Sequence, residues 1–179
     1  DRGGRKTVNA TIAGALASTA VRIVEMLFGE PPQLGEACAE WQASFRSDMT
    51  GVIGVAGSRP GLVAVHARRE TVRELASRLI GKTEPSDEEL RDTICEFSNM
   101  VAGNLAMHAN EALPSLAISL PSGVAGENYY LRFVGGIERI IQPLSIGELE
   151  LIIELVLDSE DVHEAATQRA SAEAGGDDV

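Results

Sequence analysis

Glu96 and Asn99 stand three residues apart in the run DTICEFSNMVAGN, Asp92 to Asn104. Turned at about 100° per residue, a helix over this run gathers Asp92, Glu96, Asn99 and Gly103 within roughly 60° of one another. Leu90, Ile94, Phe97, Val101 and Leu105 gather on the opposite side as an apolar stripe that must pack on a sheet. A carboxylate and a neutral amide therefore project together into solvent. The carboxylate can take an ion pair, and the amide can orient a partner by hydrogen bonds without adding charge. Gly103, one turn further on, lets another molecule come close. Every amphipathic helix has a polar face, however, and Glu-x-x-Asn recurs by chance, so the spacing alone leaves a site and a plain solvated face both open.

The other reactive residue types offer less. His66, His108 and His163 are far apart and form no HxxxH spacing, so a metal site built by the protein is not expected. Cys38 and Cys95 are the only cysteines and form no CxxC pair, which fits a reducing, cytoplasmic compartment. Cys95 has no basic neighbour in sequence to make it a reactive thiol. Asn104 falls at the edge of the apolar stripe, where a buried amide bonded to a loop backbone is expected. Trp41 is expected as a packing anchor, and Glu148, Glu150 and Glu154 as the exposed face of a strand. Nothing resembles a phosphate-binding loop or a cluster of carboxylates.

The elements that must position the pair follow from periodicity and punctuation. Val8, Ile12, Leu16, Ala20, Ile23 and Leu27 recur at helical spacing until Gly29 and Pro31-Pro32 end the pattern. Trp41–Phe45, Val52–Val55 and Leu62–Ala67 read as strands, the last two joined by the turn Gly57 to Gly61. Arg69 to Ile80 reads as a short amphipathic helix stopped by Gly81. Ser86 and Glu89 then form a capping box before a helix expected to reach about His108. Leu116–Leu120, Tyr129–Phe133, Arg139–Ile141 and Leu149–Leu157 read as strands, separated by Pro121, Gly123, Gly126, Gly135-Gly136, Pro143 and Gly147. One domain is expected over residues 7–158, followed by an acidic tail, 159–179, expected to be disordered or a frayed helix. The chain begins Asp1-Arg2-Gly3 without a methionine, as expected of a trimmed or excerpted chain, so its start carries no argument about a signal peptide.

The net charge of the 179 residues is −12, of which −5 comes from the last 21 residues. That balance disfavours nucleic acid and an anionic membrane surface as partners. The apolar stretch Ala10 to Ala20 carries Thr11, Ser18 and Thr19 and is followed by Arg22, so no membrane span is expected.

The run around Glu96 resembles the signature helix of the CheC, CheX and FliY chemotaxis phosphatases. In that signature an acidic residue or serine, three residues, Glu, two residues and Asn are followed some 22 residues later by proline; Asp92, Glu96, Asn99 and Pro121 fill those places. The string NMVAGN, Asn99 to Asn104, is similar to CheX proteins. The helix Arg69 to Ile80 carries no second Glu-x-x-Asn, Glu70 being followed by Arg73, which favours the CheX branch over CheC. The resemblance implies an α+β, two-layer CheC-like fold: an antiparallel-rich sheet of about six strands with three main helices, one of them the long motif helix. It also implies the function, dephosphorylation of the phosphoaspartate of a CheY-like receiver, with Glu96 and Asn99 catalytic. Asp92 and Gly103, on the same face, are the candidates for partner contact, and Asp92 is equally expected as a first-turn charge suiting the helix dipole. No cofactor of its own is implied, because Mg2+ would come with the receiver. A homodimer is expected from the resemblance and from the aliphatics on both faces of Leu149–Leu157. A CheX-like module that binds a receiver without hydrolysis is the alternative.

Overall fold

Asn9 opens the first helix: its side-chain oxygen accepts from the backbone N–H of Thr11 at 3.1 Å and of Ile12 at 3.2 Å. Helix α1 then runs Ala10–Phe28 and stops at Gly29, whose φ of 77° is the left-handed turn that glycine adopts without strain. The structure, a computed structural model, describes residues 9–40, 45–109, 111–133 and 137–159. Trp41, most of the strand expected there, and the acidic tail from 160 onward lie outside the described residues. Contrary to the sequence reading, α1 is long and apolar enough to cross a membrane, by length and composition alone. Its Ile12, Leu16, Ala20 and Ile23 are instead buried in the core, where α1 packs against α3 (Asp87–His108) and strand β6 (Ile137–Ile146).

Helix α2 spans Arg69–Ile80 and ends at Gly81, as its sequence requires. Arg68, its N-cap residue, makes no side-chain cap. Asp48 supplies it from strand β2 (Ser47–Ala56): one carboxylate oxygen accepts from Arg69 N at 3.1 Å, and the other accepts from Asn128 N at 2.8 Å. Burial pulls the Asp48 carboxyl upward, but these two backbone donors and the Arg68 guanidinium hold it below the usual carboxylate range. The motif helix α3 opens on the expected capping box, with Ser86 Oγ accepting from Glu89 N at 3.3 Å and Glu89 Oε2 from Ser86 N at 2.9 Å.

The remaining strands are β1 (Gln33–Leu34), β3 (Gly61–Ala67), β4 (Ala117–Ile118), β5 (Ser122–Tyr129) and β7 (Leu149–Asp158). All pairings are antiparallel, in the order β1-β6-β7-β3-β2-β4, and β5 also pairs with β2. The three helices pack on one face, giving the expected two-layer α+β fold with seven strands rather than about six.

Besides β1, which has no counterpart in the sequence reading, and β4, which keeps only Ala117–Ile118 of the expected Leu116–Leu120, two strands depart from it. The strand expected at Tyr129–Phe133 ends at Tyr129, and β5 instead runs back through Gly123 and Gly126, which punctuation had marked as breaks. Strand β6 likewise continues through Pro143. Ile141 turns its N–H to Cys38 O, toward the β1 side, and Pro143, two residues on, faces the same way. Its missing donor therefore spares the β7 ladder, and the cost falls on an edge strand of two residues.

Glu154 corrects a third expectation, since it lies fully buried rather than on an exposed face. It belongs to a chain of polar contacts across five strands. Tyr129 Oη donates to Thr50 Oγ1 at 2.8 Å, which meets His66 Nδ1 at 3.1 Å; His66 Nε2 meets Glu154 Oε2 at 3.0 Å. Arg139 Nε closes the series 2.6 Å from Glu154 Oε1, an ion pair without hydrogen-bond alignment. Strand β7 is central, between β3 and β6, and Ile152, Ile153 and Val156 are all buried within the chain. Its two aliphatic faces thus supply no argument for a second copy.

Two outcomes follow from these contacts. Removing one partner of a buried ion pair strands the others, so Glu154→Ala should lower the unfolding free energy by about 3–5 kcal/mol in urea titrations. A loss under about 1 kcal/mol would show that the cluster is not held by its carboxylate. Asp48 has a folded-state pKa below its unfolded one, so its contribution is complete above the ordinary value of 3.8 and is lost as pH falls through the folded value. The gap in melting temperature between wild type and Asp48→Asn should accordingly narrow from pH 7 toward pH 3.

Candidate functional site

Helix α3 is held on three sides. Leu90, Ile94, Phe97, Val101 and Leu105 are each at most 1% exposed, so the apolar stripe read from the sequence is the buried one. The helix touches β2, β3, β4 and β5 of the sheet and α1 and α2 of the helical layer. What remains free carries Asp92 and Glu96, both exposed, with Asn99 and Gly103 half-buried beside them. All four expected site residues therefore share one accessible face. Cys95, Ala102 and Ala106 lie between this face and the β4–β5 flank by helical phase, which is why Asn99, on that side, is more enclosed than Glu96.

The charges nearby are divided. In the first turn, Asp87 pairs with Arg69 at 2.5 Å and Glu89 with Lys82, and these hydrogen bonds hold both carboxyls below the usual range. They also suit the positive end of the helix. The side chains of Asp92, Glu96 and Asn99, by contrast, make no hydrogen bond or ion pair among the described residues. An uncommitted carboxylate and amide one turn apart are free to engage a second molecule. A side chain built at Gly103 would meet no atom within 4 Å, so the opening there is toward the outside.

Pro121 is exposed where the chain leaves β4 and enters β5, both of them partners of β2. Beside it Leu120 is 88% exposed, and Met107, one turn beyond Gly103, is 73% exposed. The sequence reading missed these two apolar residues; the helical step from Gly103 to Met107 was the available signal. Asn104 differs from expectation, its Nδ2 donating to Met100 O of its own helix at 3.2 Å rather than to a loop. Burial, and then the charge of Asp92, push the Cys95 thiol above its usual range, against a thiolate role.

Over residues 49–145, from β2 into β6 and more than half of the chain, the sequence matches the chemotaxis phosphatase CheX family. The chain belongs to that family. A CheX relative from Thermotoga maritima, described as a CheY-P phosphatase, is 26% identical over 141 residues, covering 78% of this chain and 90% of the relative. The fold is shared with a CheC-like superfamily protein from Shewanella sp. PV-4, at a TM-score of 0.76 and 19% identity over 85% of this chain and 100% of that one. It is shared also with CheX in the CheX–CheY–BeF3–Mg complex from Borrelia burgdorferi, at a TM-score of 0.68 and 22% identity over 82% of this chain and 97% of that one.

The division between committed and free side chains in this CheX-family helix has a measurable consequence. Glu96→Ala and Asn99→Ala should each change the unfolding free energy by less than about 0.5 kcal/mol, since neither breaks an internal bond. Phe97→Ala, between them in sequence but facing the core, should cost about 3–5 kcal/mol. Denaturant unfolding of the three variants measures the contrast.

Proposed function

We propose that this domain hydrolyses the phosphoaspartate of a CheY-like receiver, with Asn99 orienting the attacking water and Glu96 pairing with a lysine beside the receiver's phosphorylation site. The observation that carries the reading is the free amide and free carboxylate, one turn apart, on the exposed face of a helix whose other faces are packed. The relative described as a CheY-P phosphatase and the neighbour solved with CheY, BeF3 and Mg support it.

An aspartyl phosphate is an acyl phosphate, already reactive, so its hydrolysis needs a placed water more than a strong base. The water attacks phosphorus in line, the bond from phosphorus to the aspartate oxygen breaks, and phosphate and free aspartate result. A neutral amide can hold that water without competing for the phosphoryl group or for Mg2+, which in this reading belongs to the receiver. A carboxylate aimed at the phosphoryl oxygens would be repelled. Glu96 instead neutralises the lysine and sets the helix in register with the receiver. Asp92 and Gly103, on the same face, border the docked partner. The working unit is the domain 7–158, acting in the cytoplasm as a homodimer.

The two residues separate experimentally. Asn99→Ala should leave receiver binding nearly intact while lowering accelerated dephosphorylation by about 10²-fold, as for loss of a positioning group. Glu96→Ala should weaken complex formation as well as turnover, and its penalty should shrink at high salt, where the wild-type pair is already screened. Phosphate release and receiver titrations read both. Wild-type turnover by Asn99→Ala would exclude the mechanism and leave a receiver-binding module.

A further inference from the structure

Glu96 and Asn99 are each preceded by a small residue, Cys95 and Ser98, and both small residues rest on glycines. A Cβ built on Gly51 of β2 would stand 2.1 Å from Ser98 Oγ and 2.6 Å from the Ile94 carbonyl oxygen. One built on Gly123 of β5 would stand 3.0 Å from Cys95 Sγ. The two glycines are not independent: Gly51 and Gly123 are directly paired across the β2–β5 ladder. Gly51 also alternates with Met49 and Ile53, which face the helices. The sheet thus presents a patch without side chains, spanning two strands, under the turn of α3 that carries the pair.

We infer that the Gly51–Gly123 pair is a seat that sets the depth and rotation of the catalytic turn, making Gly51, Gly123, Cys95 and Ser98 positioning residues for the phosphatase reaction. The inference rests on the reading of Glu96 and Asn99 as the catalytic pair. Opposed glycines inside a ladder weaken a sheet, because they lose the most backbone freedom on folding and offer nothing to pack. Their place here is explained by the helix, which comes too near for a methyl group. Ser98 fits the seat by turning inward, its Oγ donating to Ile94 O at 2.7 Å while the residue is fully buried. Cys95, a neutral thiol, is the matching small residue on β5. From these two anchors the chain advances one residue, about 100°, to Glu96 and to Asn99. Any lift or roll of the turn is therefore passed directly to both side chains, and water positioning is sensitive to displacements near 1 Å.

The two glycines should respond differently to added methyl groups. At Gly51 the nearest backbone atom is the Ile94 carbonyl, so Gly51→Ala must displace the helix, and trimming Ser98 to Ala should not restore it. At Gly123 the obstacle is a single sulfur, so the loss caused by Gly123→Ala should be recovered in Gly123→Ala/Cys95→Ala. The readout is turnover at saturating CheY receiver phosphorylated with acetyl phosphate, per folded protein, with helicity and melting temperature measured in parallel. Expected are losses of about tenfold or more for Gly51→Ala and about threefold or more for Gly123→Ala, the latter returning to near wild type in the double variant. Folded Gly123→Ala with wild-type turnover, or a loss that Cys95→Ala does not relieve, overturns the inference, and so does a lowered melting temperature with unchanged turnover. Gly123→Ala decides the matter if Gly51→Ala fails to fold. Asn99→Ala measured beside them separates the two levels: its retaining full turnover would remove the catalytic reading itself, whereas its loss with a silent Gly123→Ala would remove only the seat.

Discussion

The burial of one stripe of α3 against the sheet is the constraint on which the rest of the molecule depends. Five large apolar side chains from Leu90 to Leu105 are almost entirely removed from water, and each is worth roughly 1.5–3 kcal/mol of transfer free energy. A helix held in this way has its rotation decided before any functional residue is considered. With Phe97 and Val101 inward, Glu96 and Asn99 can only face out. The capping box at Ser86 and Glu89 fixes where the helix starts, and so fixes which residues fall on which face.

Strand β2 carries the complementary half of the arrangement. It pairs with β3 on one side and with both β4 and β5 on the other, and it lies under α3. Asp48, near its start, caps α2 and holds Asn128 at the end of β5, tying the helical layer to the sheet edge beside the motif. On the face turned away from α3, Thr50 joins the buried series through His66 and Glu154 to Arg139. A buried ionic series of this kind adds little net stability over apolar packing, but any misregister of the strands would break it. That gives the sheet a reason to keep one register under the helix.

The helices were legible in the sequence because their signals are local. Asn99 and Glu96 could be placed on a wheel, Gly29 and Gly81 stop their helices by backbone conformation, and Ser86 and Glu89 cap theirs. The sheet was less legible where a distant element overrides local preference. Gly123 looks like a break until α3 is seen lying over it, and Pro143 looks like one until its N–H side is seen to face a short edge strand. Glu154 follows the alternation of a half-exposed strand, yet His66 and Arg139, 88 residues before and 15 before it in sequence, give it partners in the interior. No periodicity within β7 contains that information. For the site the limit was similar: the residues of the motif were visible and Met107 was one helical step further, but Leu120 at its border became visible only once the fold brought the β4–β5 edge beside the helix.

A receiver docked for hydrolysis must cover the free face of α3, and NMR titration with a CheY receiver held in its phosphorylated form by beryllofluoride and Mg2+ tests this most directly. The account predicts that the side-chain amide of Asn99 and the backbone signals of residues 92–107 and 120–124 shift together, with little change at β1 and β6. Shifts concentrated on the β1–β6 edge, with the Asn99 amide unmoved, would contradict it.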